Sequence, residues 1–132
     1  MFNAYGDEVE FFIVYIREAH ALDSRSPTSF TDSNDKLIED PIDSGERSLV
    51  ASQCVADLNL PMPALLDGMD DAVSKAYMGH PDRLFLVGRD GKIAYCGGHG
   101  PFFFSTDGLD AAIARELASP AEATASRPSK GR

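Results

Sequence analysis

The chain has 132 residues, a net charge of -9 from 21 acidic and 12 basic side chains, and two cysteines. That length suits one domain with a real core, and the acidic balance argues against nucleic acid and anionic membrane surfaces as partners. The body is more acidic than the whole, because Arg127, Lys130 and Arg132 all lie in the tail.

Nothing approaches the roughly 20 apolar residues of a membrane span, and residues 1–5 lack a signal peptide's basic and apolar regions. The expected compartment is the cytoplasm, with no membrane partner. Cys54 and Cys96 lie far apart without cysteine or histidine partners at zinc-finger spacing, so neither a disulfide framework nor a structural zinc is indicated.

Residues 11–16 (FFIVYI) form an unbroken β-branched and aromatic run, which predicts a strand buried on both faces, as in the parallel sheets of α/β domains. Residues 21–42 are largely polar and read as a long loop. Asp43 and Glu46 resemble a capping box, and Val50, Cys54 and Leu58 then recur at helical spacing, predicting a helix over 44–59. Pro61 and Pro63 end it. A short strand follows over 64–66, then a brief helix over 71–78 capped by Asp67 or Asp70.

Residues 83–87 (RLFLV) and 92–96 (KIAYC) flank Gly88-Arg89-Asp90-Gly91, a strong hairpin signal. The glycine-rich stretch 97–101 breaks the second strand. A helix capped by Ser105 or Thr106 comes next, with Leu109, Ala112, Ile113 and Leu117 on its apolar face. The chain thus reads as one α/β domain over 1–118, with a mixed sheet flanked by helices. Residues 119–132 are too poor in large apolar groups to fold and are expected to be a disordered tail.

Glu18 and His20 follow the first strand directly, where α/β sheets place their chemistry, although polar residues must follow any strand that reaches solvent. Arg83 opens the strand of the hairpin. If that strand runs antiparallel to 11–16, Arg83 and His20 flank one cleft suited to a planar substrate with an ionised oxygen; the alternative is a structural Arg83–Glu18 ion pair. The cluster 97–100 suits a sharp turn better than a phosphate loop. At residues 32–37, Lys36 and Leu37 exclude a calcium loop. Cys54 reads as a small buried hydrophobe, and Cys96 lacks a neighbour that clearly lowers its pKa. No Gly-x-Ser-x-Gly elbow occurs, and the histidines show no metal-ligand spacing, so no bound cofactor or metal is expected.

The segment Val9-Glu10-Phe11-Phe12-Ile13-Val14-Tyr15-Ile16-Arg17-Glu18-Ala19-His20 resembles the strand and Glu-Ala-His signature of the iodothyronine deiodinase family, especially its bacterial members. Asp67-Gly68-Met69-Asp70-Asp71, Ala76-Tyr77 and Pro81-Asp82-Arg83-Leu84-Phe85-Leu86-Val87 resemble later family segments in order. Residues 91–102 resemble its closing hairpin and Gly-Gly-x-Gly-Pro-Phe turn. The resemblance implies a thioredoxin-like fold and reductive dehalogenation, in which a selenocysteine or cysteine attacks the iodine of an iodothyronine. Glu18, His20 and Arg83 match family positions associated with the active site. A small aromatic substrate and a thiol reductant as co-substrate are likewise implied.

Family members carry a strand, the nucleophile motif and a helix before the segment that starts here. This chain begins near that helix's end, and neither Cys54 nor Cys96 matches the nucleophile. The expectation is therefore a thioredoxin-like domain lacking its N-terminal central strand and the start of the nucleophile-bearing helix, inactive alone. Two apolar strands would be left without their shared partner, which association into a homodimer is one way to supply. The alternative is a non-catalytic thioredoxin-like binding module for a small aromatic anion.

Overall fold

A computed structural model describes residues 1–24 and 38–119. The elements run α1 (Phe2–Tyr5), β1 (Ile13–Tyr15), α2 (Ser44–Asp57), β2 (Ala64–Leu66), α3 (Ala72–Tyr77), β3 (Phe85–Val87), β4 (Ile93–Cys96) and α4 (Thr106–Ala118). The architecture is mixed α/β. Only α1 was without a sequence signal; its Phe2 ring packs edge-on against Phe11 at 5.6 Å between centroids.

The sequence's own stop and start signals account for most boundaries. Asp43 accepts a hydrogen bond from the Glu46 backbone N–H at 2.9 Å, and Glu46 reaches back to the N–H of Ile42 at 3.0 Å, so α2 begins with two of its loose donors satisfied. Proline at 61 and 63 then carries the chain into β2, which pairs in parallel with β1, Ile13 facing Ala64 and Tyr15 facing Leu66. The hairpin forms where Asp90-Gly91 predicts it. Gly91 takes φ +79°, a left-handed value that glycine adopts without strain. In β3 and β4 the register shifts between Leu86 and Val87.

α4 lies on that hairpin. Its Leu109, Ala112 and Ile113 join Leu86 to form the core, against which Tyr5, Val9, Phe11, Leu84, Tyr95 and Leu117 pack.

Three expectations need correction. The single mixed sheet is instead two two-stranded ladders, β1 with β2 and β3 with β4, and among the described residues no ladder joins β1 to β3. β1 is also not buried on both faces, since Phe12 is 56% and Val14 39% exposed. An apolar run reports that a strand can be covered, not what covers it. In α2 the buried face is set by Arg47 and Ala51, while Leu58, expected in the apolar stripe, ends the helix exposed. The loop reading holds at the described ends of 21–42, where Leu22 N–H donates to the Ile38 carbonyl at 2.9 Å. Residues 25–37, including the rejected calcium-loop segment, and the tail from 120 lie outside the described residues.

Between the two candidate caps of α3, the structure selects Asp67. Its carboxylate accepts from the N–H groups of Val73 at 2.9 Å and Ser74 at 2.7 Å, while its own N–H donates to the Tyr15 carbonyl at 2.9 Å. Burial alone would raise its pKa, but the N–H donors of Ser74, Val73 and Gly68 and the charge of Arg47 outweigh it, and the carboxyl lies below its ordinary 3.8. Asp67→Ala is expected to cost about 2 kcal/mol in urea unfolding at pH 7, as for a lost cap with buried partners left unpaired. Because the folded pKa is lowered, this contribution is present above the ordinary carboxylate value and fades as pH falls through the folded one, so wild type and variant should converge in strong acid.

Candidate active site

β1 delivers its polar residues into a compact charged cluster. The Tyr15 hydroxyl donates to the Glu18 carboxylate one turn of chain later. Glu18 N–H donates to Asp40 Oδ1 at 3.4 Å, and Arg17 Nη2 bonds Asp40 Oδ2 at 3.0 Å. Asp40 is held in turn by its N–H donating to Asp23 Oδ1 at 2.9 Å. The two ends of the long loop thus meet beside the end of β1.

Glu18 is half-buried, and its carboxyl titrates above its ordinary 4.5. Burial is the main cause and the Asp40 charge adds to it, while the His20 charge opposes both. A carboxyl that keeps its proton to higher pH, with an imidazole nearby, is suited to proton transfer. His20, two residues on in the same segment, is close enough for its charge to act on Glu18.

A second group lies behind them. Arg47 is only 3% exposed, and its Nη1 donates to the Gly68 carbonyl at 2.8 Å and the Asp67 carbonyl at 3.3 Å, with Asp71 Oδ1 at 3.4 Å. Asp71 also faces Arg17 at 3.8 Å. It sits at the start of α3 in the left-handed region (φ 55°, ψ 37°) and makes no side-chain cap there, that task falling to Asp67.

Arg83 stands at the other end of α3. Its Nε donates to the Gly97 carbonyl at 2.7 Å, its Nη1 to the Tyr77 carbonyl at 3.4 Å, and its guanidinium lies 5.3 Å from the Phe85 ring centre. Neither bond uses Nη2. Among the described residues Arg83 forms no ion pair with Glu18, which removes that structural alternative. The contacts that hold it run to residues 77, 85 and 97, not to the Glu18 segment. The two halves are linked through α3, whose six residues span about 9 Å.

His99 carries no sequence signal of its own within the glycine-rich turn 97–101. Its Nε2 lies 2.7 Å from the Met78 carbonyl, and since a carbonyl only accepts, Nε2 carries the hydrogen. Arg83 and His99 thus grip consecutive carbonyls at the end of α3. The glycines around them fit the sharp-turn reading: a side chain on Gly98 would run into Phe103 and one on Gly100 into the Asp82 carboxylate. Exposed Cys96 lies beside them, its thiol 3.8 Å from the same Gly97 carbonyl, whereas Cys54 is half-buried on α2. Among the described residues no cluster of three or more His, Cys, Asp or Glu could hold a metal, and no helix is long and apolar enough to cross a membrane.

The family model described as iodothyronine deiodinase matches residues 1–116, a span that includes Glu18, His20 and Arg83. The chain belongs to the iodothyronine deiodinase family. It is 36% identical over 103 residues to a type II iodothyronine deiodinase of Gallus gallus, covering 73% of this chain and 34% of the relative. Its identity to the type II iodothyronine deiodinase of Neoceratodus forsteri is 34% over 104 residues, covering 76% and 38%. A thyroxine 5-deiodinase of Sparus aurata is 31% identical over 101 residues, covering 75% and 35%. The chain thus spans little more than a third of the length of these deiodinases.

Glu18 gives this charged cluster a measurable signature. A carboxyl whose folded pKa is raised stabilises the fold below its ordinary value and loses that contribution as pH rises through the folded one. Glu18→Gln, which keeps an acceptor for Tyr15 without the charge, should therefore raise Tm at pH 7 and show no gain near pH 4; scanning calorimetry at both values checks the sign.

Proposed function

We propose that the chain is the proton-handling and substrate-orienting part of a thiol-dependent oxidoreductase of the iodothyronine deiodinase type, acting on an iodinated phenol. What supports this reading, beside family membership, is that Glu18 is a half-buried carboxyl biased toward its protonated form with the His20 charge acting on it, within the residues 1–116 that the family model matches. In such a reaction a thiolate or selenolate bonds to iodine, the carbon–iodine bond breaks, and its electron pair stays on carbon. That carbon takes a proton. A thiol reductant then releases iodide and is oxidised to a disulfide.

Within that scheme Glu18 and His20 supply or relay the proton, and Arg83, whose Nη2 bonds no described residue, orients the phenolate. We assign the nucleophile to neither Cys54 nor Cys96. The fold proposed for the complete sheet is thioredoxin-like, the two ladders being its outer pairs.

Equilibrium dialysis with a diiodophenol, followed by iodide assay under excess dithiothreitol, tests this reading. The chain should bind the phenolate, Arg83→Ala should weaken binding about tenfold, corresponding to ~1.4 kcal/mol, and the chain alone should release no iodide. Arg83→Lys, which keeps charge but not the planar fork, should fall between. Binding indifferent to Arg83 would remove it from the site, and iodide release abolished by Cys96→Ser would move the covalent step to that thiol. Binding with turnover absent even when a thiol-bearing family segment is supplied in trans would leave the binding-module reading.

A further inference from the structure

A chain of charged contacts runs from α2 to Glu18. Asp71 places Oδ1 3.4 Å from Arg47 Nη1 and Oδ2 3.8 Å from Arg17 Nη1. Arg17 turns its other terminal nitrogen to Asp40 Oδ2 at 3.0 Å, and Asp40 uses its remaining oxygen to accept the Glu18 N–H. Each carboxylate spends its two oxygens on different partners, so every link is shared by two neighbours. Solvent access to the side chains is 3% at Arg47, 16% at Asp71, 20% at Asp40 and 47% at Arg17, so the Arg47–Asp71 contact is the least screened and the two links through Arg17 are the more open to solvent. Since Asp67 caps α3, the Asp71 carboxylate is available to the two arginines.

We propose that Asp71 is a positioning residue for Glu18, acting through Arg17 and Asp40. By competing for Arg17, Asp71 decides how fully that cation neutralises Asp40, and hence how much negative charge Glu18 meets. Among the described residues the groups facing Glu18 are Tyr15 from β1, His20 from its own segment and Asp40 from the returning loop, with Arg17 reaching it through Asp40. Asp71, Arg47 and Asp23 stand one contact further out. The inference rests on the reading of Glu18 as the proton-handling group, yet it concerns only how that carboxyl is set.

The competition has a direction. Without the Asp71 charge, Arg17 pairs with Asp40 alone, and Asp40 repels an ionised Glu18 less. Without Arg17, Asp40 is uncompensated and repels it more. If the effect of Asp71 travels through Arg17, removing Asp71 must matter little once Arg17 is gone, which is a double-mutant cycle.

The test is a carbon-13 NMR titration of the Glu18 carboxyl in the full chain, comparing wild type, Asp71→Asn, Arg17→Gln and the double variant. Asparagine keeps an acceptor for Arg47 and tolerates the left-handed backbone, so the fold is retained. Asp71→Asn should lower the Glu18 midpoint by about half a pH unit. Arg17→Gln should raise it, and Asp71→Asn in that background should shift it by less than half as much as in wild type. An equal shift in both backgrounds would show a direct charge effect and overturn the relay. A lowered Tm with an unmoved Glu18 midpoint would make Asp71 merely structural. The titration needs no substrate, so an intact cycle in a chain that neither binds diiodophenol nor supports turnover with a thiol-bearing segment supplied in trans would sink the catalytic reading and leave the positioning role standing.

Discussion

The buried guanidinium of Arg47 is the constraint on which the rest of the site depends. Removing a cation from water costs several kcal/mol unless its donors are met, and here Nε has no partner among the described residues, so Nη1 must make up the deficit. It does so on two consecutive carbonyls, Asp67 and Gly68, and on the Asp71 carboxylate. The segment between β2 and α3 is thereby fixed at its backbone. Asp67, held at one end by Arg47 and Tyr15, can then cap α3 and set its direction.

Both halves of the candidate site hang on that helix. At its start Asp71 meets Arg17, which ties down Asp40 and through it Glu18; at its end the carbonyls of Tyr77 and Met78 hold Arg83 and His99. This matters for a chain of net charge -9, whose overall field repels anions. Any anion that binds has to be met by cations held locally, and α3 supplies the frame that holds Arg17 and Arg83.

The sequence shows well what is decided locally. Asp90-Gly91 fixed the hairpin, Asp43 and Glu46 the start of α2, and the spacing of Leu109, Ala112, Ile113 and Leu117 the buried face of α4, because turn strain, capping and periodicity act over a few residues. It shows poorly what is decided by partners distant in the chain. Phe12 and Val14 are as apolar as core residues, yet their burial depends on neighbours that, among the described residues, the strand's partner β2 does not provide. Arg47 was missed because periodicity counts apolar positions, and a charged residue on the inner face of a helix breaks the pattern that finds it. Asp40 and His99 were equally silent. Their roles come from a loop closing over 22 residues and from a turn that brings His99 onto α3, and neither leaves a local signature.

Hydrogen exchange at individual backbone amides, compared between wild type and Arg47→Met, tests most directly whether Arg47 organises both halves. Methionine fills similar apolar volume without the charge, so the core of α4, β3 and β4 should keep its protection. Faster exchange is expected only at Val73, Ser74 and the rest of α3, together with Glu18, whose amide depends on Asp40. Unchanged protection at Glu18 and α3, or a uniform loss across the whole chain, would contradict it.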